Sequence, residues 1–174
     1  MAVVWGTIKD LNGYIDIISA PGKGTEFVLY FPATRQKIAE SDSIELRSYK
    51  GNGQKVLVID DMEEQRDLAS RILILLGYSV TAVSSGEEAV DLCSAQRFDL
   101  IILDMIMPGG MDGGATYEKI SELRPGQKAV IASGFSDNNS VRRAQDLGAG
   151  VYIKKPYTVE SLAKAIYQEL TVTT

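Results

Sequence analysis

The chain has 174 residues, 45% of them apolar and 24% charged, which suits a folded domain with a real core and excludes a disordered chain. A net charge of −5 argues against nucleic acid as a direct partner, and the absence of histidine excludes any chemistry that needs an imidazole from this chain. A lone cysteine, Cys93, excludes an internal disulfide; with no apolar stretch of membrane-spanning length and no signal-peptide layout, the expectation is a cytoplasmic protein without direct membrane contact.

In chain order, the first signal is a pair of strands, Gly13–Ser19 and Thr25–Phe31, rich in Ile, Tyr, Phe and Val. Pro21-Gly22-Lys23-Gly24 between them is turn chemistry, and it lacks the spacing of a phosphate-binding P-loop. A bare hairpin is marginal alone, so it must pack on the rest of the chain, pair with another copy or stay disordered. Residues 34–53 are polar, have no sustained periodicity and end in Gly-Asn-Gly. They read as a linker with a helical turn near Ile44–Leu46. The charge partitions there: residues 1–53 are balanced, and residues 54–174 carry 12 basic against 17 acidic side chains.

From residue 54 short apolar runs recur at Val56–Ile59, Val80–Val83, Leu100–Leu103, Ala129–Ala132 and Val151–Ile153. Segments of helical spacing separate them. Leu68, Ile72, Leu75 and Leu76 form one predicted face, and Val159, Leu162, Ala163, Ile166 and Leu170 another. Continuous rather than alternating apolar runs fit strands buried on both sides. The fold class is α/β, a doubly wound five-stranded parallel sheet preceded by the hairpin.

In such folds chemistry gathers beyond the carboxyl ends of the strands. There the sequence places Asp60-Asp61, Asp104, Ser133 and Lys154-Lys155-Pro156, so four of five strands deliver polar groups to one rim. Singly each has an ordinary reading: Asp60 or Asp61 as a helix cap, Ser133 as a loop hydroxyl, the lysines as solvated. Together they do not, because crowded carboxylates repel unless a cation compensates. Two or three carboxylates open to water suit Mg²⁺, which takes few protein oxygens and welcomes phosphate. Asp104, held by a buried strand, is placed to attack phosphorus as an aspartyl-phosphate nucleophile. The metal, a lysine and a hydroxyl would neutralise the transferring group. Pro108 and Gly109-Gly110 would turn the chain so that a helix begins near Asp112.

The motifs VLVIDD, LIILDMIMPGGMDG, VIASG and YIKKPY, in order and spacing over residues 54–172, resemble the response-regulator receiver domain of two-component signalling. The resemblance implies a flavodoxin-like fold and a phosphoacceptor, Asp104. It implies Mg²⁺ ligands Asp61, Asp104, Asp60 through water and the Ile106 backbone carbonyl. It further implies a switch hydroxyl at Ser133, the phosphoryl-binding lysine at Lys155, a switch aromatic at Tyr152 and a cis peptide before Pro156. Lys154 is then a solvated neighbour. The loop after Pro108 has one glycine more than the commonest family form. Ile106 and Phe135, two after Asp104 and Ser133, are apolar at positions that tend to govern water access, so slow self-dephosphorylation is expected.

Within residues 1–33, the stretch VVWGTIKDLNGYIDIISAPGKGTEFVLYFP resembles the C-terminal end of a histidine-kinase ATP-binding domain. The family's nucleotide-binding motifs and phospho-accepting histidine are missing, so the segment is expected to be a remnant that binds no ATP and catalyses no phosphorylation. The resulting organisation is a remnant at 1–33, a linker at 34–53 and a receiver at 54–174, from a hybrid histidine kinase. The implied partners are a histidine kinase or histidine phosphotransfer protein as donor. A downstream protein would read the face of the fourth helix, fifth strand and fifth helix, since no output domain follows Thr174. Trp5, if exposed, would support a homodimer.

Three rivals stand beside this. A pseudo-receiver, acting as an interaction module without phosphorylation, would lack an acid or the lysine, and none is missing. An aspartyl-phosphate phosphatase or transferase would usually want a second acid where Ile106 stands. A dinucleotide site would want a glycine-rich turn where the chain reads DDMEEQ. Cys93 reads as an inert, partly buried side chain of the second helix, and Arg142-Arg143 as a solvated face of the fourth.

Overall fold

Among the described residues, seven strands and five helices form in the order the apolar runs set, and contacts divide the chain into two units, Met1–Ala39 and Glu40–Thr174. The computed structural model describes Ile8 and residues 11–33, 48–134 and 139–171. Trp5, the Ile44–Leu46 turn and Phe135 lie outside the described residues.

The first unit holds an antiparallel hairpin of β1 (Tyr14–Ala20) and β2 (Gly24–Tyr30). Lys23 N–H donates to the Ala20 carbonyl across a three-residue turn, with Gly22 and Gly24 at φ +73° and +84°, which glycine adopts without cost. Cross-strand pairs set the register: Tyr14 against Tyr30, Ile15 against Leu29, Ile17 against Phe27. Ser19 and Thr25 join hydroxyls at 2.8 Å.

The second unit is a five-stranded parallel sheet in the order β4-β3-β5-β6-β7. Its strands are β3 (Lys55–Ile59), β4 (Ser79–Val83), β5 (Leu100–Asp104), β6 (Ala129–Ser133) and β7 (Tyr152–Lys154). The helices are α1 (Glu63–Leu75), α2 (Gly86–Ala95), α3 (Gly113–Leu123), α4 (Asn139–Asp146) and α5 (Val159–Thr171). Alternate strand residues feed two cores. Val56, Val58, Leu100, Ile102 and Val130 face α1 and α5; Leu57, Ile59, Ile101, Leu103 and Ile131 meet Cys93, Tyr117, Ile120, Val141 and Ala144. Both faces are covered, so the strands stay apolar throughout.

One predicted face is partly rotated. Ile72 and Leu76 are buried as expected, but Leu68 and Leu75 are 46% and 77% exposed, and Ala69 and Leu73 are buried in their place. The run LASRILILL offers two overlapping apolar stripes, and the one carrying the small Ala69 packs against the sheet. Residues 49–53, read as the end of a linker, are bonded into the second unit. Gly51 N–H donates to Leu76 O, Gly53 N–H to Gly77 O, and Tyr78 Oη to Tyr49 O.

Side chains close several of the helix ends. Ser85 caps α2 by accepting from Glu88 N–H, while Glu88 accepts from Ser84 N–H; Asp112 caps α3 by accepting from Ala115 N–H. At the opposite ends, Arg124 donates to the Cys93 and Ser94 carbonyls of α2, and Lys128 to the Glu169 and Leu170 carbonyls of α5.

Candidate functional site

The strand order reverses between β3 and β5, and the acids emerge there. β3 ends at Ile59, so Asp60 and Asp61 leave its carboxyl end; Asp104 is the last residue of β5. Oxygens of Asp60, Asp61 and Asp104 all lie within 4.8 Å of one another. Asp60 and Asp104 are buried and Asp61 is half-buried.

Lys155, directly after β7, reaches across the sheet edge to both buried acids. Its Nζ donates to Asp60 Oδ2 at 2.5 Å and stands 2.9 Å from Asp104 Oδ2. The other oxygens are committed locally: Asp60 Oδ1 accepts from Met62 N–H, and Asp104 Oδ1 from Ile106 N–H. Neither Asp60 nor Asp61 caps α1. Its N-cap is Met62, without a side-chain cap, because Asp60 turns into the site. Burial pushes the Asp60 carboxyl above its usual range even though the Lys155 hydrogen bond and charge pull it down. Three carboxylates against one ammonium leave a hard-oxygen site short of positive charge, and this donor set fits a hydrated Mg²⁺.

The remaining predicted residues fall around this cluster. Ser133 ends β6, fully buried, one position past the pairing of Asp104 with Ala132. Tyr152 begins β7, half-buried, and its hydroxyl donates to the Ser133 carbonyl at 3.0 Å. The Lys155–Pro156 peptide is cis, and Lys154 is exposed. Ile106, 46% exposed, lines an open cleft of about 490 Å³ with Asp61, Met62, Gln65, Pro108 and Pro156.

Sequence reasoning missed Arg66. From α1 its Nη1 donates to the Asp60 carbonyl at 2.7 Å and the Asp61 carbonyl at 3.4 Å, tying down the backbone that presents both acids. The available signal was an arginine one turn into the helix that follows the acid pair.

A doubly wound sheet with three acids and a lysine gathered at the switch point of its strand order defines a distinct class of α/β domain. The chain belongs to the response regulator receiver domain family, whose sequence profile matches residues 56–167. The "Probable chemotaxis protein CheY" of Rhizobium etli is 34% identical over 115 residues, covering 64% of this chain and 88% of that protein. A CheY-like receiver domain from Methanospirillum hungatei superposes with a TM-score of 0.64 at 28% identity, covering 68% of this chain and 94% of that one. The sensor kinase CckA of Brucella abortus is 25% identical over 180 residues, covering 98% of this chain. The chain spans only 19% of the length of CckA. No helix among the described residues is long and apolar enough to cross a membrane.

Proposed function

We propose that this chain is the receiver of a hybrid histidine kinase. It takes a phosphoryl group from a phosphohistidine onto Asp104. The observation that carries the reading is the single ammonium of Lys155 held between Asp60 and Asp104 at the strand edge. Asp104 Oδ would attack phosphorus as the P–N bond of the donor breaks. The P–O bond of an acyl phosphate forms, and the electron pair leaves with the imidazole nitrogen. Asp61, Asp104, the Ile106 carbonyl and, through water, Asp60 would hold Mg²⁺, which supplies charge neutralisation for the equatorial oxygens. Lys155 would bind one phosphoryl oxygen and Ser133 another. Tyr152, already bonded to the Ser133 carbonyl, would follow the hydroxyl and alter the α4–β7–α5 face that a protein partner reads.

Residues 1–33 form the end of the kinase's ATP-binding domain in this reading. Its support is that the CckA match spans 98% of the chain, while the chemotaxis protein covers 64%. The chain itself would bind no ATP and would catalyse only its own phosphorylation and dephosphorylation in the cytoplasm. The apolar Ile106 beside Asp104 supports a long-lived phosphoryl group.

Intact mass after incubation with Mg²⁺ and acetyl phosphate tests the reading. One added phosphoryl group is expected, absent in Asp104→Asn and with chelator. Asp104→Asn gaining the same mass would move the acceptor elsewhere, and loss of the group within seconds would overturn the slow dephosphorylation.

A further inference from the structure

The β5–α3 connection carries an extra glycine that the phosphoacceptor chemistry does not use, and its surroundings show what it is for. Gly109 takes φ +90°, turning the chain after Pro108 in a conformation that side chains rarely adopt. The turn brings the next two residues onto the first turn of α2. Met111 N–H donates to Glu87 Oε1 at 2.9 Å. The same carboxylate lies over Gly110: a Cβ there would stand 3.1 Å from both Glu87 oxygens. Gly86 completes the fit, since a Cβ on it would meet Met111 at 3.1 Å and Thr116 Oγ1 at 2.0 Å.

We infer that Glu87 is a positioning residue, holding the β5–α3 loop so that the Ile106 carbonyl and the Pro108 rim keep their place beside Asp104. The loop's other anchors are the Ile106 N–H on Asp104 Oδ1, the Met105 and Met107 side chains buried in the second core, and Gly113 N–H on the Met105 carbonyl with the Asp112 cap. Between Pro108 and Asp112, Glu87 adds a hold from another helix through the Met111 amide. A carboxylate in the first turn of α2 is itself favoured by the helix dipole, so the acceptor stays in place. Glu87 touches none of the three clustered acids and acts only through the loop. This inference rests on the metal-binding reading proposed above.

The test uses the full chain with Mg²⁺ alone as ligand, comparing the native protein with Glu87→Ala, Glu87→Gln and Gly110→Ala. Calorimetry gives Mg²⁺ affinity, and NMR hydrogen exchange gives Met111 amide protection, with the sheet amides reporting that each variant is folded. In Glu87→Ala the Met111 amide should exchange roughly tenfold faster and Mg²⁺ should bind roughly fivefold more weakly. Glu87→Gln, whose amide oxygen still accepts, should recover both, and Gly110→Ala should resemble Glu87→Ala. Unchanged Met111 protection in Glu87→Ala would overturn the hold. Faster exchange with Mg²⁺ affinity within twofold of native would overturn its reach to the site. A native chain that binds no Mg²⁺ would instead sink the metal-site reading, and the inference with it.

Discussion

The ammonium of Lys155 lies 2.5 Å from Asp60 Oδ2 and 2.9 Å from Asp104 Oδ2, so one cation holds together two carboxylates that arrive on different strands. The three side chains are only 13%, 5% and 9% exposed. Removing the cation leaves two poorly solvated negative charges facing each other, whereas removing one anion leaves an intact pair.

The two halves of the triad should therefore respond unequally. Lys155→Met should lower stability at neutral pH by about 3 kcal/mol, as breaking a buried pair does. Asp104→Asn should change it by less than about 1 kcal/mol, because Lys155 keeps Asp60. Urea unfolding without divalent cation compares them, and equal losses would mean the triad is not the electrostatic unit described.

Gly113 is the point where α3 presses on the end of β5, the strand that presents Asp104. A Cβ there would lie 2.3 Å from the Asp104 carbonyl oxygen and 2.7 Å from Met105 Cα, both backbone atoms that cannot swing aside. Gly113→Ala should cost about 2 kcal/mol and shift the Asp104 amide resonance. A variant as stable as native with that resonance unmoved would show that the helix can retreat freely.

Much of this architecture could be read from the residues because its signals are redundant. Five apolar runs at similar spacing, four of them delivering a polar group to one rim, leave few arrangements other than a doubly wound sheet. What could not be read depends on choices between near-equal local options. Leu68 and Ala69 both continue an apolar stripe on α1, and only the depth of the groove against the sheet selects Ala69. Arg66 binds backbone carbonyls, which no side-chain pattern advertises. Glu87 looks like an ordinary first-turn acid of α2. Its bond to Met111 depends on a loop whose path is set by Gly109 at φ +90°. Tyr49 and Gly51 sit in a polar stretch that reads as linker until Tyr78 and Leu76 supply their partners.

Cys93 offers a probe of unfolding. It is 1% exposed among the residues of the second core, and burial pushes its thiol above the ordinary range, with Arg124 only partly opposing. A buried neutral thiol is neither nucleophilic nor reachable. Alkylation by iodoacetamide at pH 8 should be at least about a hundredfold slower than in urea, since it waits on opening of the core. Rapid labelling of the folded chain would show that α2 lifts from the sheet.

Tyr157, just past the cis peptide, gives the fold a distinctive alkaline limit. Burial, and then the charges of Asp60 and Asp104, push its phenol up to about 12 from 10.0. Between those values the folded chain keeps a proton that the unfolded chain has released. Folded protein therefore binds more protons, and stability falls as pH rises through the window. The contribution is whole below pH 10 and amounts to about 2 kcal/mol lost by pH 12. Tyr157→Phe cannot ionise, so its stability should decline less over that range, while Tyr78 and Tyr117, also raised by burial, still contribute. Urea midpoints at pH 9 and pH 11.5 for both chains decide it. Parallel declines would place the Tyr157 hydroxyl in water, free of the two acids.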